Sequence, residues 1–203
     1  MSDHDIRSLS QLQALFGQPG PAALRKEADH LHPVYRRWIE ASPFAVLATV
    51  GSRGLDTSPR GDPAPLAHVE DAHTLLLPER RGNQRIDTLR NLVQDPRVSL
   101  LFMIPGVGEC LRVIGEATLS ADPALCERFS VAGAAPVCVI RVRVRTVFFQ
   151  CARAMLRSGL WQVPAERPGV PTAGQMLAAL TDGEVGGEPY DRELPARQRA
   201  TLY

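Results

Sequence analysis

Net charge is the first thing this sequence lacks. Its 203 residues carry 23 Lys+Arg against 22 Asp+Glu, a formal balance of +1. That removes the general electrostatic case for a nucleic-acid partner or a membrane surface. Lysine is nearly absent: Lys26 stands alone and every other cation is arginine, whose planar fork suits bidentate phosphate contacts. Paired cysteines are missing as well. Cys110, Cys126, Cys138 and Cys151 lie far apart with no CxxC spacing, so free thiols in a reducing cytoplasm are expected, not a metal site or a disulfide framework. No apolar run approaches the ~20 residues that span a bilayer. The start, "MSDHDIRSLSQLQ", has neither the basic opening nor the apolar centre of a signal peptide. The expectation is a cytoplasmic protein with one ordinary domain, long enough to bury a real core.

What is present reads as strands with a few helices. Ile6 to Phe16 has helical apolar spacing, and so has Ala22 to Ala41, with a break near His32 forced by Pro33. Phe44 to Val50 and Leu55 to Arg60, joined by "GSRG", predict a β-hairpin. "DPAPLAHVEDA" reads as a connection and "HTLLLP" as a third strand. A helix is expected from about Asn83 to Val93, then strands in "DPRVSLLFMI" and "CLRVIGEATLS". Asp122 and Pro123 mark a helix start. "VCVIRVRVRTVFFQC" alternates with period two, with Arg141, Arg143 and Arg145 on a face that is solvated or paired across strands. Helical patches follow in "ARAMLRSGLW" and "AGQMLAAL", and the Gly- and Pro-rich tail reads as weakly ordered. Six strands in mostly hairpin order argue a small barrel with peripheral helices.

One turn concentrates positive charge. "PERRGNQR", residues 78–85, sits where a strand passes into a helix. Gly82 opens backbone conformations closed to other residues, and Asn83 suits a helix N-cap. Arg80, Arg81 and Arg85 add charge where the helix dipole already favours an anion. "TSPRGDP" places Ser58, Pro59 and Arg60 at the end of the second strand, within reach if consecutive strands are neighbours. Taken alone, the loop fits a solvated surface turn as well as it fits a phosphate site. His30 and His32 do not share a helix face, and His68 and His73 have no evident carboxylate, so no metal site is expected.

Three stretches carry a family resemblance: "PFAVLATVGSRGLDTSPRGDP", "LLLPERRGNQRIDTLRNLVQDPRVSLLFMIPGVGECLRVIGEATL" and "VFFQCARAMLRSGLW". Over roughly residues 40 to 162 the chain resembles the pyridoxamine 5′-phosphate oxidase-like, FMN-binding split-barrel proteins, most closely a bacterial flavoprotein subgroup with a "GN-x-R-x-D-x-L-R-N" loop-helix. The resemblance implies a mainly β fold with peripheral helices, a Greek-key-like six-stranded split β-barrel. It also implies a homodimer with FMN at the subunit interface. Residues 1–41 would be an N-terminal helical extension, 42–162 the FMN-binding domain and 163–203 a C-terminal extension.

On that reading Arg60 and Arg85 hold the FMN phosphate, with Asn83 and either Arg80 or Arg81 assisting, and Ser58 and Pro59 lie along the ribityl chain or ring edge. Cys110, where a glutamine or threonine is usual, and Arg112 would come from the partner chain. Arg153, Arg157 and Trp161 would close the site from the second subunit. The Arg-Leu-His-Asp-Arg ending with which true oxidases grip the vitamin substrate is missing, so that reaction is not expected. The function implied is an FMN-dependent oxidoreductase, with NADH or NADPH as donor and an unknown small acceptor. The alternatives are a flavin-binding or stress-related module without turnover, or the same barrel holding haem or a deazaflavin.

Overall fold

The computed structural model describes residues 4–82, 84–164 and 169–203. Seven antiparallel strands form one sheet: β1 (Phe44–Gly51), β2 (Gly54–Gly61), β3 (His68–Asp71), β4 (Thr74–Glu79), β5 (Arg97–Met103), β6 (Cys110–Ser120) and β7 (Cys138–Gln150). Their order is β2-β1-β5-β6-β7-β4-β3. The helices are α1 (Leu9–Phe16), α2 (Pro21–Arg25), α3 (Pro33–Glu40), α4 (Asp87–Gln94), α5 (Pro123–Glu127), α6 (Arg153–Ser158), α7 (Ala173–Leu180) and α8 (Gly187–Ala200). No helix among the described residues is long and apolar enough to cross a membrane.

The expected six-stranded split barrel is corrected on two points: the described residues form seven strands, and the sheet they make is not closed. The extra strand, β3, is only four residues long and follows a proline-rich connection, so it offers almost no periodicity to read. The sheet nevertheless curls. Leu47 of β1 and Leu75 and Leu77 of β4 lie near opposite ends of the strand order, yet they share one core with Leu100, Phe102, Leu111, Val113, Ile140 and Val142. Leu76 points the other way, into a second cluster with Leu125, Cys126, Phe129 and Val139. β4 is therefore buried on both faces, which explains its unbroken Leu75-Leu76-Leu77 run.

Two ion pairs bridge the gap between the ends of the curled sheet. Arg60 of β2 reaches Glu79 of β4 at 3.2 Å, and Asp62, just after β2, accepts from Arg80, just after β4, at 2.8 Å. The two pairs have opposite polarity and lie side by side in sequence on both strands. Side chains, not ladder hydrogen bonds, thus join β2 to β4.

Other expectations shift at their ends. The helix placed over 22–41 is two pieces, with Pro33 at the first position of α3 and His32 as its N-cap. Between them Ala28 makes a bridge to Val147. The Arg face of β7 is exposed and paired: Arg141 bonds Glu70 at 2.8 Å and Arg145 bonds Glu116 at 2.9 Å. Among the described residues the tail carries two helices, α7 and α8. Gly186, with φ of +108°, turns α7 into α8, and a Cβ there would stand 2.5 Å from the carbonyl oxygen of Gly174. Asp191 of α8 accepts from the backbone N–H of Gly174 at 2.7 Å and from the hydroxyl of Thr172. Glycines that read as breakers are what lets the two helices approach.

Gly115 sits at the β6–β7 register shift, and a Cβ there would lie 2.2 Å from the carbonyl oxygen of Arg143. Gly115→Ala should therefore destabilise by about 1–3 kcal/mol through overpacking against backbone. Gly20→Ala, where a Cβ meets nothing within 4 Å, should stay within about 0.5 kcal/mol. Urea unfolding of the two variants checks this, and equal stability would contradict it.

Candidate functional site

β2 is an edge strand, which is why Pro59 can occupy its interior without costing a ladder hydrogen bond. Period two then puts Asp56, Ser58 and Arg60 on the face toward α4, while Leu55, Thr57 and Pro59 are exposed. The three inward residues form a hydrogen-bonded row. Arg60 Nη1 donates to Ser58 Oγ at 2.7 Å, Ser58 Oγ lies 3.0 Å from Thr88 Oγ1, and Thr88 Oγ1 donates to Asp56 Oδ2 at 3.4 Å. With Arg60 donating into it, Ser58 is left to donate to Thr88. Arg60 Nε donates to Glu79 Oε2 at 3.2 Å, and Nη2 is buried with no hydrogen-bond partner. A buried guanidinium nitrogen without an acceptor is costly, and it marks a place where an anion would be favoured.

Arg60 also lines a cleft of about 330 Å³, together with the rest of the β2 row, Pro59, Arg85, Asp87 and Thr88. The far wall is the N-terminus of α4, whose N-cap residue, Ile86, supplies no side-chain cap. Asp87 and Thr88 of its first turn line the cleft, at the end of the helix where the dipole is positive. Ile86 has φ of +50°, a left-handed conformation that is an outlier for a β-branched residue. Arg85 is exposed and donates from Nε to Asp87 Oδ2 at 2.8 Å, and Arg53 contacts Asp87 Oδ1 at 3.0 Å. The hydrogen bond from Arg85 is the main reason that the Asp87 carboxyl lies below its ordinary pKa.

Of the residues singled out from sequence, the cleft unites Ser58, Pro59, Arg60 and Arg85. Asn83 lies outside the described residues; the N-cap expected of it belongs to Ile86, because α4 starts at Asp87. Arg80 is turned away, donating to Asp62 and, at 2.6 Å, to the carbonyl of Phe129. Arg81 opens on a neighbouring cleft that also touches Glu79. Cys110 and Arg112 sit at the start of β6, where the Arg112 guanidinium lies 5.3 Å from the Phe148 ring. Arg153 and Arg157 are on α6, and Trp161 Nε1 donates to the carbonyl of Val107 at 2.8 Å. None of these five lines the Arg60–Arg85 cleft within one chain.

Sequence reasoning missed Thr88, Asp87, Asp56 and Glu79. Asp56 could have been found from its period-two spacing with Ser58 and Arg60. Among the described residues no group of three or more His, Cys, Asp or Glu could hold a metal ion.

Burial pushes the Glu79 carboxyl above its ordinary value of 4.5, against the opposing pull of Arg60. The folded state therefore holds the Glu79 proton more tightly than the unfolded chain does. This contribution to stability is complete below pH 4.5 and is lost as pH rises through the folded pKa. Glu79→Gln should remove that loss, so the variant should gain on the parent in urea midpoints as pH is raised from about 4.5 to 7. A difference independent of pH would contradict it.

A family model described as pyridoxamine 5′-phosphate oxidase matches residues 31–151, from just before α3 to the end of β7. No curated protein matches the chain in sequence. Among solved structures, HupZ of Group A Streptococcus is 18% identical, with 57% of this chain and 90% of that one covered and a TM-score of 0.48. A Clostridium acetobutylicum protein related to general stress protein 26 is 14% identical, covering 57% and 84%, with a TM-score of 0.42. An FAD-binding protein of Mesorhizobium loti is 14% identical, covering 61% and 96%, with a TM-score of 0.41. Those likenesses are too distant to carry weight, whereas the family model spans more than half of the chain. With β1 to β7 all inside the matched stretch, the chain belongs to the pyridoxamine 5′-phosphate oxidase family.

Proposed function

We propose that this protein is an FMN-binding flavoprotein and acts as an oxidoreductase on a small substrate. One observation carries the reading: Arg60, whose Nη2 is buried without an acceptor, lines one cleft with Arg85, Ser58, Thr88 and the first turn of α4. Those groups fit a phosphate. Arginine forks and backbone N–H groups suit its oxygens, and the hydroxyls can turn to donate. Asp56 and Asp87 line the same cleft, but each already accepts a hydrogen bond, from Thr88 and Arg85 respectively.

FMN would supply the redox chemistry, and this chain would supply anchoring, orientation and shelter. Family membership supports a flavin, and the cleft favours one that ends in a single phosphate. Cys110, Arg112, Arg153, Arg157 and Trp161 are distant from the cleft in one chain, which suits a homodimer whose second copy completes the flavin site. NADH or NADPH is the proposed donor. The missing oxidase ending argues against pyridoxamine phosphate as substrate.

The protein should purify yellow or take up one FMN per chain. Arg85→Ala and Arg60→Ala should each weaken FMN about ten- to a hundredfold while leaving riboflavin nearly unchanged, because one charge-assisted contact to phosphate is worth about 1.5–3 kcal/mol. The two losses should not add, since both side chains would grip one anion. Fluorescence titration with both flavins is the test, and equal losses for FMN and riboflavin would refute phosphate anchoring.

The dimer should tighten with FMN by mass action, and a stable flavin-loaded monomer in light scattering would defeat the shared site. Under anaerobic conditions NADH or NADPH should bleach the visible flavin band. Bleaching by dithionite alone would point to a module without turnover.

A further inference from the structure

The molecule has a second, larger cleft on the other side of the Arg60–Glu79 pair. Its volume is about 820 Å³, within the range of small-molecule sites. One wall is the loop after β4, with Arg81 and Ile86. The opposite wall is α8, which contributes Tyr190, Arg197 and Gln198. α8 lies beyond the stretch that matches the family, so this wall belongs to this chain's own extension.

Two features make the cleft a built one. Arg197 holds its guanidinium 4.6 Å from the centre of the Tyr190 ring, an arrangement that fixes a cation beside an aromatic face. Neither Arg197 nor Arg81 has a carboxylate partner among the described residues, and the one acid that lines the cleft, Glu79, is already paired with Arg60. The cleft therefore has an excess of positive charge beside apolar and aromatic surface. The left-handed Ile86 matters as well. It lines this cleft while its neighbours Arg85 and Asp87 line the smaller one. One strained residue thus divides two adjoining sites, and such strain accumulates where function requires it.

We infer that this cleft binds a small planar anion, an aromatic carboxylate or an aromatic phosphate ester, packed beside the Arg197–Tyr190 pair and held by Arg197 and Arg81. Resting on the flavoprotein reading, that anion is the substrate, placed beside the cofactor across the Arg60–Glu79 pair. α8 is then the element that sets specificity.

The test is isothermal calorimetry of the full chain, with and without FMN, using benzoate and phenyl phosphate as probes. At least one should bind at millimolar concentration or below, and which one binds assigns carboxylate or phosphate. Arg197→Ala should weaken it tenfold or more, Arg197→Lys should recover part of the loss, and Tyr190→Leu should weaken both probes alike. FMN affinity should be unchanged in all three variants, and thermal melts should confirm that they fold. Failure of both probes to bind the parent protein, or binding indifferent to Arg197, overturns the inference. So does an equal loss of FMN, which would make the cleft the seat of the flavin ring. If the protein takes no FMN yet binds a probe through Arg197, the anion site stands and the flavoprotein reading falls.

Discussion

The buried Arg60–Glu79 pair is the constraint around which this molecule is arranged. Removing two charges from water is expensive, and breaking such a pair costs more than forming it returns. Here the pair joins strands that the ladder leaves five places apart, β2 and β4. With Asp62–Arg80 beside it, it replaces the missing backbone pairing of a closed barrel. The seam is polar because an open sheet has unpaired edges and ends, which a small curled domain has to cover with something other than a strand.

Both candidate sites follow from that seam. Glu79 occupies one end of Arg60 and Ser58 another, so the guanidinium is held rigidly where Arg60 lines the smaller cleft, and Nη2 is left without a partner. A preorganised donor loses little entropy when an anion arrives. The loop that leaves β4 must then turn sharply to start α4, and Ile86 takes the left-handed conformation that the turn requires. It lines the larger cleft, while Arg85 and Asp87 on either side of it line the smaller one.

Family membership covers residues 31–151, which contain the strands, the seam and the smaller cleft. What lies outside differs in character. α1 buries none of its residues, whereas α8 is anchored through Asp191 to α7 and carries residues into the larger cleft. In the flavoprotein reading the shared barrel would hold the cofactor, and the C-terminal extension would choose what reacts with it.

Local periodicity made much of this legible from sequence. The β1–β2 hairpin, the long strand β7 with its exposed arginines and the Pro123 helix start all follow from spacing and turn chemistry within a few residues. Arg60 and Arg85, which a short motif and a family resemblance set together, line the same cleft. The sequence could not show that Glu79 would be the acid buried against Arg60, nor that Arg80 would be consumed by Asp62, because those contacts exist only once the sheet has curled. It also could not show that Gly174 and Gly186 join two helices, since a glycine that breaks an element and one that permits close approach look alike in sequence. Short-range patterns determined the strands and helices. Burial across the seam, which depends on distances between residues far apart in the chain, decided the site.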